Sequence, residues 1–386
     1  MAFDPQAATA AYIDGLGADK LAQAAAYTVG NHWLLLWGLL VTGLVTWIIV
    51  RSGLLGGIEA RLGRRGAALR TFAVAAVYFV VSSLLTLPWA IYESWWRETA
   101  YGRTSQPIGD FLGQGAAAML ISAVLGALFF VGVYALIRRA GRSWWLWSGA
   151  LTAAALSVFL LAAPVVIEPI FNDFKPVPAG EVRDALLAMA KKAGVPEDRI
   201  FVYDGSRQSN NFTANVSGVG GSARVAISDV AFKGASLDEV KAVTGHEIGH
   251  YVLSHVWRQV AVMSVFAILF FFLADRVYPR LARVFGSGSG IASPAGLPVL
   301  MFMVSVFALL GQPLLNALIR TGEIEADRYS LENVNLPDAL ASALVKTAEY
   351  RDPRPSAVQE LLFYTHPSVE RRVLTAMEWK ASHPAP

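Results

Sequence analysis

Residues 236–278 read SLDEVKAVTGHEIGHYVLSHVWRQVAVMSVFAILFFFLADRVY, and this one stretch joins a chemical motif to a membrane segment. Ser236 is an N-cap candidate with Glu239 three residues on, a pair that satisfies free backbone N–H groups at a helix start. A helical pattern opens at Leu237. With no Gly-Pro punctuation it is expected to run through Val256 and straight into the apolar segment 259–278. That segment has the roughly 20 apolar residues needed to cross the hydrocarbon. His246-Glu247-Ile248-Gly249-His250 lies on the polar part of the run. Histidines four apart share one helix face, so both imidazoles can hold one Zn²⁺ while Glu247 acts as general base toward a water.

Five further apolar stretches of spanning length occur, at about 31–50, 71–92, 116–137, 144–168 and 296–319. Trp33, Trp47, Trp89, Trp95, Trp96, Trp144, Trp145 and Trp147 stand at or near span ends, where interfacial aromatics belong. The 386 residues are 55% hydrophobic and only 16% charged, against about a quarter charged in a soluble domain, which makes this a polytopic membrane protein. Eleven Trp, twelve Tyr and twenty Phe argue against disorder. A net charge of +3 would suit a nucleic-acid binder, but the arginines sit in short loops between apolar runs, so no nucleic-acid partner is expected. The chain has no cysteine, which excludes disulfides, thiolate zinc sites and thiol nucleophiles, and leaves His and carboxylate to hold any metal. Residues 1–30, Ala-rich with Asp4, Asp14, Asp19 and Lys20, lack the basic start and apolar core of a secretory signal and are expected to form an amphipathic surface segment.

The expected organisation is therefore an N-terminal segment (1–30), four spans (31–168), a catalytic α+β domain (169–256), two spans (257–319) and the rest of the catalytic domain (320–386). Within 169–256 the pattern predicts a helix over 181–193, a strand over 200–203, and a hairpin of 211–219 and 223–228 turning at Gly220-Gly221. Asn211 to Asn215 is the candidate edge for an extended peptide added as an extra strand. The two polar segments lie on one side of the membrane, because the two crossings between them return the chain to where it started.

A third ligand must come from elsewhere. Leu253 and Val256 stand where a zincin with a third histidine has Gly and His. His255, nine residues from His246, falls about 180° away on a continuous helix and is read as structural. Glu323-Ile324-Glu325-Ala326-Asp327 follows the sixth span on the same side as His246. Glu323 and Asp327 are four apart and face one way, whereas Glu325 points elsewhere. Glu323 is the candidate ligand and Asp327 the residue that orients a ligand histidine. About ten residues, or about 15 Å of helix, part His250 from the apolar onset, which puts the metal above the bilayer surface.

Several segments together resemble the type I CAAX prenyl protease family of membrane zinc metalloproteases. Leu87-Pro88-Trp89-Ala90-Ile91-Tyr92 with Glu98 and Gly102 resembles the family's LPWxxY loop, and Ile170-Phe171-Asn172-Asp173-Phe174-Lys175-Pro176 its entry to the catalytic domain. The stretch from Arg224 to Asp229 resembles its RIVLFD strand; the His246–His250 and Glu323–Asp327 motifs match its HExxH and ExxAD, and His366-Pro367-Ser368 with Arg372 its HPP…R. The resemblance implies a multi-pass α-helical membrane protein with an α+β zincin-like (gluzincin) catalytic domain, its helical barrel enclosing a chamber. It implies one Zn²⁺ per chain on His246, His250 and Glu323, with Glu247 as base and Asp327 and Arg372 behind the ligands. It also brings His366 near the metal, where it would stabilise the tetrahedral intermediate.

The implied substrate edge, Asn-Ala-Tyr in the family, falls on Thr213, Ala214 and Asn215, and six spans stand here against seven in the eukaryotic enzymes. The expected partners are the bilayer and a peptide or protein substrate, lipidated or membrane-associated. Two rival readings are an envelope quality-control zinc protease, which would lack the LPWxxY match, and a non-enzymatic membrane protein with structural zinc, which would need no Glu247. Arg51, Arg61, Arg64, Arg65, Arg70, Arg138, Arg139, Arg142, Arg276, Arg280 and Arg283 all lie on the side opposite the motif, which itself offers mainly Lys20, Arg97 and Arg103. The positive-inside rule thus leans to an inner-membrane protein with a periplasmic catalytic side, whereas the eukaryotic relatives keep theirs in the cytosol.

Overall fold

The computed structural model describes residues 3–194, 199–218, 224–347 and 351–383. Among the described residues, six helices are long and apolar enough to cross a membrane: Ala18–Ser52, Ala67–Ala100, Ile108–Arg139, Gly141–Phe171, His255–Phe285 and Pro294–Asn333. They coincide with the six expected spans and run beyond them, as helices must when no water satisfies backbone groups in the hydrocarbon. The N-terminal half comprises α1 (Pro5–Asp14), α2 (Ala18–Ser52), α3 (Leu54–Arg61), α4 (Ala67–Ile91), α5 (Arg97–Ala100), α6 (Ile108–Arg139), α7 (Trp144–Ala162) and α8 (Glu168–Phe171). Next come β1 (Phe174–Pro176), α9 (Glu181–Ala193), β2 (Ile200–Tyr203), β3 (Ala214–Ser217), β4 (Arg224–Ser228), α10 (Asp229–Gly234) and α11 (Leu237–Val252). The chain ends with α12 (His255–Phe285), α13 (Leu297–Asn333), α14 (Pro337–Thr347), α15 (Ala357–Phe363) and α16 (Val369–Ser382).

The membrane helices close on one apolar core that includes Val74, Val133, Tyr134, Tyr278, Leu297 and Leu300. Leu40, Leu128, Val158 and Leu310 on these helices are left exposed. The sheet has the order β1-β2-β4-β3, with β2 parallel to β4 and both outer pairs antiparallel. The buried run Arg224–Ser228 suits its place inside the sheet, while β3 pairs only with β4 (Ala214 with Ile227, Asn215 with Ala226) and lies at the edge. Val177, Leu186, Ile227 and Val240 form the core beneath. The expected helix and second strand appear at the expected bounds. The hairpin strand starts at Ala214 rather than Asn211, and the predicted Gly220-Gly221 turn lies outside the described residues.

Two expectations are corrected. The helix opened by Ser236 does have its capping box with Glu239, but it ends at Val252 and does not run into the fifth span. Ser254 adopts φ 57° and ψ 34°, and α12 starts afresh at His255. This left-handed conformation costs an L-residue about 1–2 kcal/mol. Residues 1–30 do not form one surface segment. Residues 18–30 lengthen the first membrane helix, and α1 docks on the C-terminal helices, with Ile13 fully buried among Leu331, Val373 and Met377.

Candidate active site

The site is made where α11 crosses α13 at close range. A Cβ placed on Gly249 would meet Ala326 Cα and Tyr329 Cβ at 3.1 Å, so the glycine inside the motif sets how near the helices come. The Ser330 hydroxyl ties them further by donating to the Ala242 carbonyl at 2.7 Å. This contact delivers His246, His250 and Glu323 to one point, with ligand atoms all within 4.8 Å of one another. His246 Nε2 lies 3.1 Å from His250 Nε2 and 3.2 Å from Glu323 Oε2, and His250 Nε2 lies 3.4 Å from Glu323 Oε1.

Glu323 is buried, and its Oε2 meets no donor in hydrogen-bond geometry even though His246 Nε2 and His366 Nε2 each stand 3.2 Å away. A buried carboxylate oxygen without a donor, beside a pair of imidazoles at ligand spacing, fits a metal ion that His246, His250 and Glu323 would coordinate. The donor set of two imidazoles and one carboxylate also leaves room for a further ligand.

Each histidine is backed by its own relay. His246 Nδ1 lies 2.8 Å from Asp327 Oδ1, and Arg372 donates to Asp327 through Nε and Nη2, both at 2.7 Å. This is the arrangement expected of Asp327, with Arg372 holding it. Burial opposes the charged form of His246, but its contact with Asp327 and the nearby Glu323 carboxylate outweigh that and raise its pKa to about 10.

The second relay departs from expectation. His250 Nδ1 lies 2.8 Å from His255 Nδ1, His255 Nε2 lies 2.8 Å from Glu325 Oε2, and Arg258 donates to Glu325 at 2.9 Å. His255 is not turned away from the ligands, because the break at Ser254 rotates it back onto His250. Glu325 accepts only, so His255 must carry its proton on Nε2 and accept at Nδ1. His250 then donates from Nδ1 and keeps the Nε2 lone pair for a metal.

Around this centre lies a cavity of about 310 Å³ whose walls include Thr213, Ala214, His246, Glu247, Glu323 and His366. Thr213 and Ala214 of the predicted substrate edge therefore share a cavity with the motif, whereas Asn215 is not among its lining residues. Glu247 is held above the usual carboxylate range by burial, with His246 and His250 pulling the other way. His366 is half-buried beside Thr365 Oγ1, 2.8 Å from its Nδ1, and desolvation lowers its pKa to about 3 against the pull of Glu323, so it is neutral at pH 7. Sequence reasoning missed His255, Glu325 and Arg258 as partners of the site, and also Arg351, which lines the cavity. No local signal marks the left-handed serine that would have revealed the first three.

Comparison with known proteins gives the family. The sequence model of Peptidase family M48 matches residues 176–380, and that of the CAAX prenyl protease N-terminal region, described as five membrane helices, matches residues 6–173. Across 6–173 the described residues hold four helices of spanning length. An uncharacterized metalloprotease of Bacillus subtilis, YhfN, is 28% identical over 348 residues, covering 88% of this chain and 79% of its own. A CAAX prenyl protease 1 homolog of Oryza sativa is 29% identical over 347 residues (86% and 78%), and that of Homo sapiens 24% over 357 (81% and 74%). The fold is shared with the crystal structure of S. mikatae Ste24p, at a TM-score of 0.70 and 20% identity, over 86% of this chain and 82% of that one. Strands β2 to β4, the HExxH helix and the ExxAD helix fall within the region matched to Peptidase family M48, and the chain belongs to that family as a multi-pass membrane metalloendopeptidase.

Proposed function

We propose that the metal is a single zinc held by His246, His250 and Glu323, and that the chain cleaves a membrane-associated or lipidated peptide laid along β3. Nitrogens about 2.0–2.1 Å from a tetrahedral zinc lie about 3.3 Å apart, and the separations of 3.1, 3.2 and 3.4 Å match that spacing. When bound, zinc supplies Lewis acidity, polarising the scissile carbonyl and making water a competent nucleophile at neutral pH. Glu247, its basicity raised by burial, takes the proton from the attacking water and returns it to the departing amine. Neutral His366 can present an N–H toward the charge that develops on the carbonyl oxygen. Asp327 and Arg372 hold His246 at its ring angle throughout.

The observation that carries this reading is the shared cavity: the start of an unpaired sheet edge and the base and ligands of the motif wall the same 310 Å³. The relatives named as CAAX prenyl proteases point to a lipidated substrate. A further cavity of about 630 Å³ among α2, α4 and α13, with Leu34, Leu39, Trp89 and Ile319 in its walls, could house an apolar chain. The arginine-rich loops opposite the site favour an inner-membrane placement with the catalytic side in the periplasm. The test is mass spectrometry of a farnesylated CAAX-type peptide and its unprenylated twin after incubation with detergent-purified protein. Cleavage by the wild type and none by Glu247→Ala is the expected result. Equal cleavage by Glu247→Ala overturns the assignment of the base, and equal rates on the two peptides overturn the lipid preference.

A further inference from the structure

Arg351 occupies an unusual position. It lines the active-site cavity together with Glu247 and His366, and it also lines a second cavity of about 260 Å³ walled by Asn31, His32, Gln312 and Thr365. It therefore stands where the two spaces meet.

The neighbouring arginines are all occupied. Arg372 is paired with Asp327, Arg320 donates to the carbonyls of Glu360 and Tyr364, and Arg354 binds Glu370 and Asp14. Among the described residues, no carboxylate forms an ion pair with Arg351 and no acceptor takes a hydrogen bond from it. The adjacent Asp352 is already engaged by the Arg354 backbone N–H. Glu323 acts on Arg351 only through longer-range attraction, while burial and the Arg372 charge both work against it.

A half-buried guanidinium on a cavity wall, with no protein partner among the described residues, keeps its charge and offers its donors to whatever enters the cavity. A carboxylate presented from the cavity would meet the planar fork with two parallel hydrogen bonds. Peptides carry carboxylates in two places, at the chain terminus and on acidic side chains. We propose that Arg351 is a specificity residue that binds a carboxylate of the substrate beside the scissile bond. The inference rests on the reading that the substrate occupies this cavity.

The experiment compares peptide pairs on the purified full-length, zinc-loaded protein. One pair differs only in a C-terminal acid against a C-terminal amide, the other in Glu against Gln near the cleavage point. Charge-assisted hydrogen bonds lead us to expect a preference in kcat/KM of about 10- to 100-fold for the charged member of one pair. The pair that shows it identifies the source of the carboxylate. In Arg351→Gln the ratio should fall toward one, and Arg351→Lys should restore part of it. Retained zinc at one per chain in both variants separates this loss from misfolding. Binding of the same fluorescent peptides to Glu247→Ala, read by anisotropy, tests the pocket independently of turnover. Wild-type indifference in both pairs, or an unchanged preference in Arg351→Gln, overturns the inference. Indifference accompanied by normal zinc-dependent cleavage would do so while leaving the proposed function intact.

Discussion

Two histidines on one face of α11 are held by different means. His246, with a side chain 8% exposed, leans on Asp327, which is 5% exposed and clamped by Arg372. His250, at 23%, leans on His255, which passes the chain of hydrogen bonds to Glu325 and Arg258 near the surface, the Glu325 side chain being 40% exposed. The first support is assembled from α13 and α16, 81 and 126 residues along the chain from His246. The second lies largely one turn beyond the motif, made available by a single left-handed residue. The same orienting task is thus done once by a buried ion pair and once by a half-solvated relay. The two should fail differently.

The largest difference is expected from Asp327→Ala, which strips buried Arg372 of its hydrogen-bonded carboxylate and leaves it only Glu323 at 3.7 Å. Breaking a buried pair in this way costs about 3–5 kcal/mol, so unfolding in detergent should shift strongly and metal retention should be lost with it. Wild-type stability in that variant would remove the basis of the comparison. Next in size is Glu325→Leu, which frees His255 to adopt the wrong tautomer. Zinc affinity, read by chelator competition, should weaken about 10- to 100-fold. Global stability should barely move, since the exposed Arg258–Glu325 pair is worth less than about 1 kcal/mol. A stability loss as large as that of Asp327→Ala would mean that the two supports are alike. The smallest effect tests the break itself. Ser254→Gly should stabilise the protein by up to about 1 kcal/mol, because glycine accepts φ 57° without strain. In a continuous helix the same change would cost about 0.5 kcal/mol, so the sign of the shift in thermal midpoint decides between the two.

Much of the molecule is legible in its sequence, because the strongest signals are periodic or chemical. Spans announce themselves by length, and the helix start at Ser236 by its capping box. The spacing of His246, Glu247 and His250, and of Glu323 and Asp327, carries their side chains to one face whatever the surroundings. His366 and Arg372 are legible only through resemblance, because nothing local distinguishes a histidine before Pro367 from any turn residue. What stays hidden depends on tertiary contact. Ser254 gives no sign of its left-handed turn, so ideal helical rotation sent His255 to the wrong side. The burial of Ile13 under α16 likewise joins opposite ends of the chain, and neither end encodes it alone. Arg351 becomes notable only when the walls of two cavities are known.

The most direct test of the account is X-ray absorption at the zinc edge on the purified protein. The account predicts one zinc per chain with only nitrogen and oxygen neighbours at about 2.0–2.2 Å, two of them imidazoles, with the site lost in Glu323→Ala. A wild-type spectrum without two imidazoles, or a Glu323→Ala protein that keeps zinc in an unchanged environment, would contradict it.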